Sequence, residues 1–369
     1  MKAKKLPFID KVFLWINYCL CAALLISYLA PITDPQKFWP VAFFGLAYPL
    51  LLLANVLMIV YWLVRKSTWV LLPVIGIGIG WNILLNNIGF TLPAHASIAP
   101  ESNNVRVMTY NVHSFKKYGA NKDISTKHEI LAIIRDAHPD IIGFQEYYTR
   151  NRGQYDMTDS IKRITGASNC YFEQLESNKG ESLGMAIFSK FPILAKGIIR
   201  LSAIPQSGNQ CLYIDVQKGG HPFRFYSLHL QSIKFGPQDY KYVDTVSKSG
   251  KADLASTMRL GGKLKRAFLK RSEQVAIVKA HAKQCPYPYI ISGDFNDTPS
   301  SYAVNQMANG LKNAFREKGF GLGRTYNGNF PNYQIDYVMT DKKFDIENYH
   351  ITEKKLSDHY PVYVDVVLR

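Results

Sequence analysis

The sequence predicts an α/β domain preceded by an all-α transmembrane region of three helices. Three observations carry that prediction. The first is a split in composition. The 369 residues have a net charge of +16, but the first 102 carry only seven Lys or Arg and three acids, while the rest carry a net +12. The second is a set of three long apolar runs confined to the first ninety residues. The third is an alternation of short β-rich runs with helical stretches from residue 105 onward, the pattern of a mixed α/β fold. Together they exclude a purely soluble protein and, equally, a pure channel or transporter. Five cysteines in this length, without metal-ligand spacing, exclude a disulfide scaffold.

The apolar runs cover residues 12–30, 38–64 and 69–90, which makes residues 1–90 the transmembrane region. The first two are uncharged over 19 and 27 residues, enough to cross about 30 Å of hydrocarbon. The third is 22 residues long and carries Asn82, Asn86 and Asn87. Such carboxamides are expected at an interface or against neighbouring helices. The first run lacks a clear small-x-small cleavage site and is followed at once by another, so it reads as a span rather than a cleaved signal. Lys2, Lys4, Lys5 and Lys11 lie at its start, Arg65 and Lys66 follow the second run, and the loop between carries only Lys37. By that bias the N-terminus and the second loop are cytoplasmic. Three crossings then put the rest of the chain on the non-cytoplasmic (periplasmic or extracellular) side of a cell membrane; two would leave it in the cytoplasm. Residues 91–104, with two prolines and small or polar side chains, read as a short linker that keeps residues 105–369 near the bilayer.

In that second part, VRVMTY (105–110) is a strand ending at Asn111. Residues 126–137 read as a helix, with Thr126 and Glu129 as a capping box and Ile130, Ile133, Ile134 and Ala137 at helical spacing. DIIGF (140–144) is a buried strand ending near Glu146. FRFYSL (223–228) leads to His229, and YIIS (289–292) leads to Asp294 and Asn296. IDYVM (335–339) carries Asp336, and YPVYVDVV (360–367) follows Asp358 and His359. Carboxylates, carboxamides and histidines thus recur where apolar strands stop, the positions from which a rigid sheet presents polar side chains to a cleft. Each alone is ordinary turn chemistry; their coincidence in one domain is not. Asn296, two residues beyond Asp294, would share its face in an extended chain and donate an amide N–H to it.

At these residues the chain resembles the endonuclease/exonuclease/phosphatase superfamily of metal-dependent phosphoesterases. The matching segments stand in that family's order: MTYNVHS (108–114), IIGFQE (141–146), GMAIFSKFPI (184–193), YSLHLQS (226–232), ISGDFND (291–297), IDYVM (335–339) and SDHYPV (357–362). The resemblance implies a four-layer sandwich of two packed mixed β-sheets flanked by helices. It also implies roles. Glu146 is the principal metal ligand, assisted by Asn111 and Asp358. Asp294 orients or deprotonates the attacking water. His359 is the catalytic histidine, Asp336 fixes its tautomer, and His229 donates to a nonbridging oxygen. The cofactor implied is Mg²⁺, with Mn²⁺ as the alternative, because hard cations take oxygen ligands. His113, His128, His138, His221 and His281 match no motif position and are expected to have no role.

Between His229 and the GDFN strand lies a long segment, 232–288. It holds a helix candidate over 263–283 carrying Lys263, Lys265, Arg266, Lys270 and Arg271, with Leu264, Phe268, Val275 and Val278 near helical spacing. This is either a surface for anionic headgroups or an ordinary amphipathic helix with a solvated basic face. The expected function is a membrane-anchored hydrolase of a lipid-borne or small phosphate ester, with the lipid bilayer and that ester as its partners. A membrane-anchored nuclease is the alternative. The net +12 suits nucleic acid no better than any other phosphorylated substrate, and no dedicated nucleic-acid module is present. A non-catalytic binding module is disfavoured because every expected position is filled. No protein partner is inferable.

Overall fold

A computed structural model describes residues 6–92, 104–116, 124–178, 180–204, 207–328 and 333–369. The apolar region forms α1 (Phe8–Ser27), α2 (Pro35–Phe38), α3 (Pro40–Val64), α4 (Leu71–Ile79) and α5 (Trp81–Asn87). Helices α1 and α3 are each long and apolar enough to cross a membrane. The third apolar run is not one straight helix: α4 and α5 meet at Gly80 with a bend of 69°. The Tyr28 ring lies against Gly80 so closely that a Cβ there would sit 2.1 Å from it. Only glycine lets the backbone pass. At the far end of the bundle Arg65 pairs with Asp10 at 2.8 Å, and the Tyr61 hydroxyl donates to the same carboxylate at 2.7 Å. Lys2, Lys4 and Lys5 lie outside the described residues.

The chain continues through β1 (Gly89–Phe90), β2 (Asn104–Asn111), α6 (Ile124–Ala137), β3 (Ile141–Arg150), α7 (Met157–Thr165), β4 (Asn169–Asn178), β5 (Glu181–Ser189) and β6 (Ile193–Arg200). Then come β7 (Gln210–Lys218), β8 (His221–His229), α8 (Pro237–Ser249), α9 (Leu254–Lys283), β9 (Tyr289–Asp294), α10 (Tyr302–Ala308) and β10 (Lys312–Asn313). It ends with α11 (Ala314–Lys318), β11 (Phe320–Gly321), β12 (Asp336–Thr340), β13 (Phe344–Ile351) and β14 (Val362–Leu368). Two six-stranded mixed sheets result, ordered β10-β12-β9-β8-β7-β6 and β13-β14-β2-β3-β5-β4. The parallel pairs are β8 with β9 and β2 with β3. Period-two alternation sends Val105 and Val107 between the sheets, where they meet Leu212, Ile214, Phe225, Ile290 and Val338. The opposite face of the same strand, Met108 and Tyr110, packs under α6 and α7. Val275 and Val278 of α9 and Val304 of α10 cover the other sheet. This is the expected four-layer sandwich.

Three local expectations are corrected. Strand β3 does not stop near Glu146. It runs to Arg150 through a bulge between Phe144 and Tyr147. Helix α6 begins at Ile124, so Thr126 is buried inside it and Glu129 pairs with Lys354 at 3.2 Å; they form no capping box. Helix α9 begins at Leu254, and only part of the expected basic face is solvated, at Arg266 and Lys270. Lys263 pairs with Asp239, Lys270 pairs with Glu273, and Lys265 lies over the Trp39 ring at 4.5 Å. Arg271 is buried, binds Asp297 at 2.8 Å and donates to the Gln231 carbonyl at 3.0 Å. Truncating it leaves the Asp297 carboxylate without that partner, which costs about 3–5 kcal/mol. Arg271→Ala should therefore lower the midpoint of a thermal melt by roughly 10 °C; an unchanged melt would count against this pair as a stabilising contact.

The two regions touch directly. Ser272 donates to Asp34 at 2.7 Å, and Gln306 donates to the Pro31 carbonyl at 3.3 Å. Phe43 meets Phe268 edge to face at 5.3 Å. The asparagines of the third run face this contact: Asn87 donates to Ser300 at 2.9 Å, and Arg316 donates to Asn86 and Asn82 at 3.0 and 3.1 Å. Strand β1 pairs with β11, so the chain is already joined to the sandwich before the expected linker, of which residues 93–103 lie outside the described residues.

Candidate functional site

The site forms where strands of both sheets end at one rim. Parallel pairing of β8 and β9 sets His229 beside Asp294, and antiparallel pairing of β12 sets Asp336 on the other side of Asp294. Three polar residues distant in sequence therefore stand in one row. On the facing sheet Asn111 closes β2. Glu146 sits in the β3 bulge with φ of +51°, a left-handed conformation costing a non-glycine residue about 1–3 kcal/mol. A bulge re-aims a side chain, and here Glu146 lines the same cavity as Asp294. Asp358 and His359 precede β14 and are held by a bridge between His359 and Tyr326.

The contacts are close. His359 Nδ1 lies 2.9 Å from Asp336 Oδ2, and its Nε2 lies 3.7 Å from Asp294 Oδ2. His229 Nε2 is 3.5 Å from that same oxygen. Asn111 Nδ2 donates to it at 3.2 Å and reaches Glu146 Oε1 at 3.4 Å, which ties the two sheets together. The Ser357 hydroxyl donates to the Asn111 carbonyl at 2.8 Å, fixing the Asp358–His359 loop onto β2. Asn111, Glu146, His229, Asp294, Asn296, Asp358 and His359 line one cavity of about 220 Å³, with Asp336 buried behind His359.

Asn296 departs from expectation. Strand β9 ends at Asp294 and Asn296 has φ of +54°, so the two residues do not share a strand face. The backbone N–H of Asn296, not its side chain, donates to Asp294 Oδ1 at 2.8 Å. Its side-chain amide donates to the Leu230 carbonyl at 3.0 Å. His113, expected to have no role, lies at the site: Nδ1 is 3.3 Å from Glu146 Oε2 and 3.8 Å from Asp358 Oδ1. A left-handed turn over His113, Ser114 and Phe115 puts it there, and nothing in the residue pattern signalled that turn. Leu46, Phe235, Phe268 and Arg271 also line the cavity and match no motif.

Burial pushes the Asp294 carboxyl up to about 6, with the neighbouring Asp336 charge adding to it and His359 and His229 opposing it. For His359, burial pulls downward, but the Asp336 and Asp294 charges and the Asp336 hydrogen bond hold it well above an ordinary imidazole. Burial would raise Glu146 too; the His113 hydrogen bond and the nearby His229, His113 and His359 overcome it and hold the carboxyl at about 2. Two carboxyls in one cavity are thereby fitted for different roles, since Glu146 stays ionised while Asp294 can exchange a proton near neutral pH.

Two clusters could hold a cation. Asp294, Asp336 and His359 bring ligand atoms within 4.8 Å of one another, but all three are buried and an ion there would compete with the His359–Asp336 hydrogen bond. Glu146, Asp358 and Asn111 offer two carboxylates and a carboxamide, the all-oxygen set that a hard divalent cation takes. The Glu146 side chain is 39% exposed, facing a water-accessible cavity. At present Asn111 turns its Nδ2 toward Glu146 and its oxygen toward the His113 N–H, so the carboxamide must rotate to present that oxygen beside Glu146. The second set fits the cation better.

A family model for the endonuclease/exonuclease/phosphatase family matches residues 108–359, and one described only as a domain of unknown function matches residues 10–87. A comparison with curated proteins finds no match. Among solved structures, an endonuclease/exonuclease/phosphatase from Bacteroides vulgatus is similar, with TM-score 0.53 and 17% identity over 72% of this chain and 99% of that one. The catalytic domain of human nocturnin with bound sulfate aligns with TM-score 0.51 and 16% identity over 73% of this chain and 97% of that one. A functionally unknown protein from Enterococcus faecalis has TM-score 0.51 and 16% identity over 72% of this chain and 100% of that one. At these identities the structures attest the fold alone. The family model spans the segments that carry the polar residues of the cavity, from the strand ending at Asn111 to His359, and on that match the chain belongs to the endonuclease/exonuclease/phosphatase family of metal-dependent phosphoesterases.

Proposed function

We propose that the protein is a membrane-anchored hydrolase of a lipid-borne or small phosphate ester that works with a divalent cation, Mg²⁺ or Mn²⁺ in its place. The observation that carries this reading is the convergence of Glu146, Asp294 and His359, together with Asn111, His229 and Asp358, on one cavity. In hydrolysis a water oxygen bonds to phosphorus, the ester P–O bond breaks, the water proton leaves, and the departing oxygen gains one. The Asp294–His359 pair is suited to the proton. Asp336 holds His359 at Nδ1, which leaves Nε2 toward Asp294. Separations of 3.5–3.7 Å to Asp294 are longer than well-formed hydrogen bonds, and catalytic contacts of this kind tighten once substrate is bound. His229 is the donor for charge that builds on a nonbridging oxygen. Glu146, Asn111 and Asp358 would hold the cation, which supplies charge neutralisation at the phosphate.

The contact between the two regions supports the outside reading. Residues 31–36 between α1 and α3 touch the sandwich through Asp34, Pro31 and Gln36. The sandwich therefore sits at the end of the bundle opposite Lys11, Arg65 and Lys66. A cytoplasmic basic end then supports a non-cytoplasmic active site, with the bent α4–α5 pair read as the third crossing.

The full chain in detergent, incubated with phospholipid, inositol phosphates or plasmid DNA, tests the reading. Chelator-sensitive release of phosphate or headgroup is the expected result. Plasmid cleavage with the other two intact would favour the nuclease alternative, and the same chain labelled by an impermeant thiol reagent at an introduced Lys251→Cys in intact cells should report the outside location.

A further inference from the structure

One wall of the cavity does not come from the sandwich. Leu46 belongs to α3, a helix of 25 apolar-rich residues, and it lines the cavity together with Leu264 and Phe268 of α9 and Ile233 and Phe235 of the loop after β8. The fit is tight. Gly45 packs so near Ser300 that a Cβ would lie 3.0 Å from that residue's carbonyl oxygen, and the Tyr333 hydroxyl donates to the Leu46 carbonyl at 3.4 Å.

Helix length sets the depth of that wall. With α3 read as a span, the charged Asp10–Arg65 pair belongs at one edge of the hydrocarbon. About 20 helical residues cross the core, and counting back from Arg65 brings the other edge to about residue 45. Leu46 therefore stands where acyl chains meet headgroups. Trp39, a residue type enriched at that level, lies just beyond it with Lys265 over its ring at 4.5 Å.

We infer that the cavity draws its substrate from the bilayer: a phospholipid whose headgroup phosphate ester reaches Asp294 and His359 while its acyl chains leave along the side walled by Leu46, Leu264 and Phe268. This deepens the proposed phosphoesterase reading and rests on it. The size fits. A cavity of about 220 Å³ is below the usual range for enclosing a whole drug-sized ligand, so it holds a headgroup and the remainder must lie outside. The lining also fits. Among the described lining residues the Lys and Arg side chains are Lys234 and the Asp297-bound Arg271, beside His229 and His359, a cluster sized for a single phosphate. A nucleic-acid groove would track successive phosphates with repeated cations.

The test compares two substrates on the full chain: phosphatidylglycerol in phosphatidylethanolamine vesicles containing the reconstituted protein, and soluble bis(p-nitrophenyl) phosphate. Leu46→Gln should lower the lipid-to-soluble ratio of kcat/KM by about tenfold or more, the scale of one buried leucine. Leu53→Gln, an exposed position further along α3, should leave the ratio unmoved. A phosphatidylglycerol carrying a diazirine on its acyl chain should label the wild-type chain at Leu264 and Phe268, a readout that needs no variant. Equal ratios in wild type and Leu46→Gln, or label absent from Leu264 and Phe268, would overturn the inference. So would intact vesicles beside hydrolysed soluble diester, an outcome that leaves the phosphoesterase reading standing. Hydrolysis of neither substrate would remove both.

Discussion

Asp294→Asn is expected to lower kcat by at least about 10²-fold, the usual scale for a positioned acid–base group, and to abolish the acid limb of the pH–rate profile. The substitution keeps shape and removes only the ability to take a proton. In the native protein the carboxyl is pushed up to about 6, chiefly by burial. It is a carboxylate above that pH and a neutral acid below it. If it accepts or orients the water's proton, the rate falls as pH drops through about 6, by roughly tenfold per unit. His359→Ala should cost a similar factor, because Asp336 holds that imidazole with Nε2 toward Asp294. The double variant should be little worse than either single one, since groups acting as a unit are not additive. A profile flat from about pH 4.5 to 7 in the wild type, or near-native turnover in either variant, would remove the pair from the mechanism.

Glu146→Ala should lower the affinity for Mg²⁺ by at least about 100-fold, measured by calorimetry on the full chain. Loss of an outer-shell partner alone commonly costs about 10–100-fold, and Glu146 is one of the two carboxylates of the oxygen-donor set. Chelation of the wild type should abolish hydrolysis, and added Mg²⁺ or Mn²⁺ should restore it. The contrast that makes this informative is Asp336→Asn. If the cation sat in the buried Asp294–Asp336–His359 cluster, Asp336→Asn rather than Glu146→Ala would abolish binding. The bulge at Glu146 is the structural reason to expect the first outcome, since the strain of a left-handed glutamate is retained where it aims a functional side chain.

Much of the sandwich was readable because its strands are apolar on both faces and end abruptly in polar residues. Such edges survive in one dimension: YIISGD ends in Asp294 and FRFYSLH ends in His229 whatever their partners are. Local geometry at those ends was less readable. Asn296 was expected to share a face with Asp294, and His113 to be idle. Both errors have one cause, a left-handed backbone at a non-glycine residue, which residue type does not announce and which contacts elsewhere in the chain stabilise. The basic helix failed in a related way. A run of Lys and Arg reads as a solvated face, but Arg271 is buried on Asp297, 26 residues further along the chain.

The division between the two levels follows from the range of the forces involved. Hydropathy and charge act over a few residues, so the sequence by itself determined two long apolar helices, a sandwich domain after them, and the polar residues at its strand ends. Register, bulges and docking depend on segments far apart in the chain finding one another. Only the tertiary structure could therefore decide that Asp294 stands between His229 and Asp336, that the third apolar run bends at Gly80 against Tyr28, and that Leu46 of the apolar helix α3 closes the same cavity as His359.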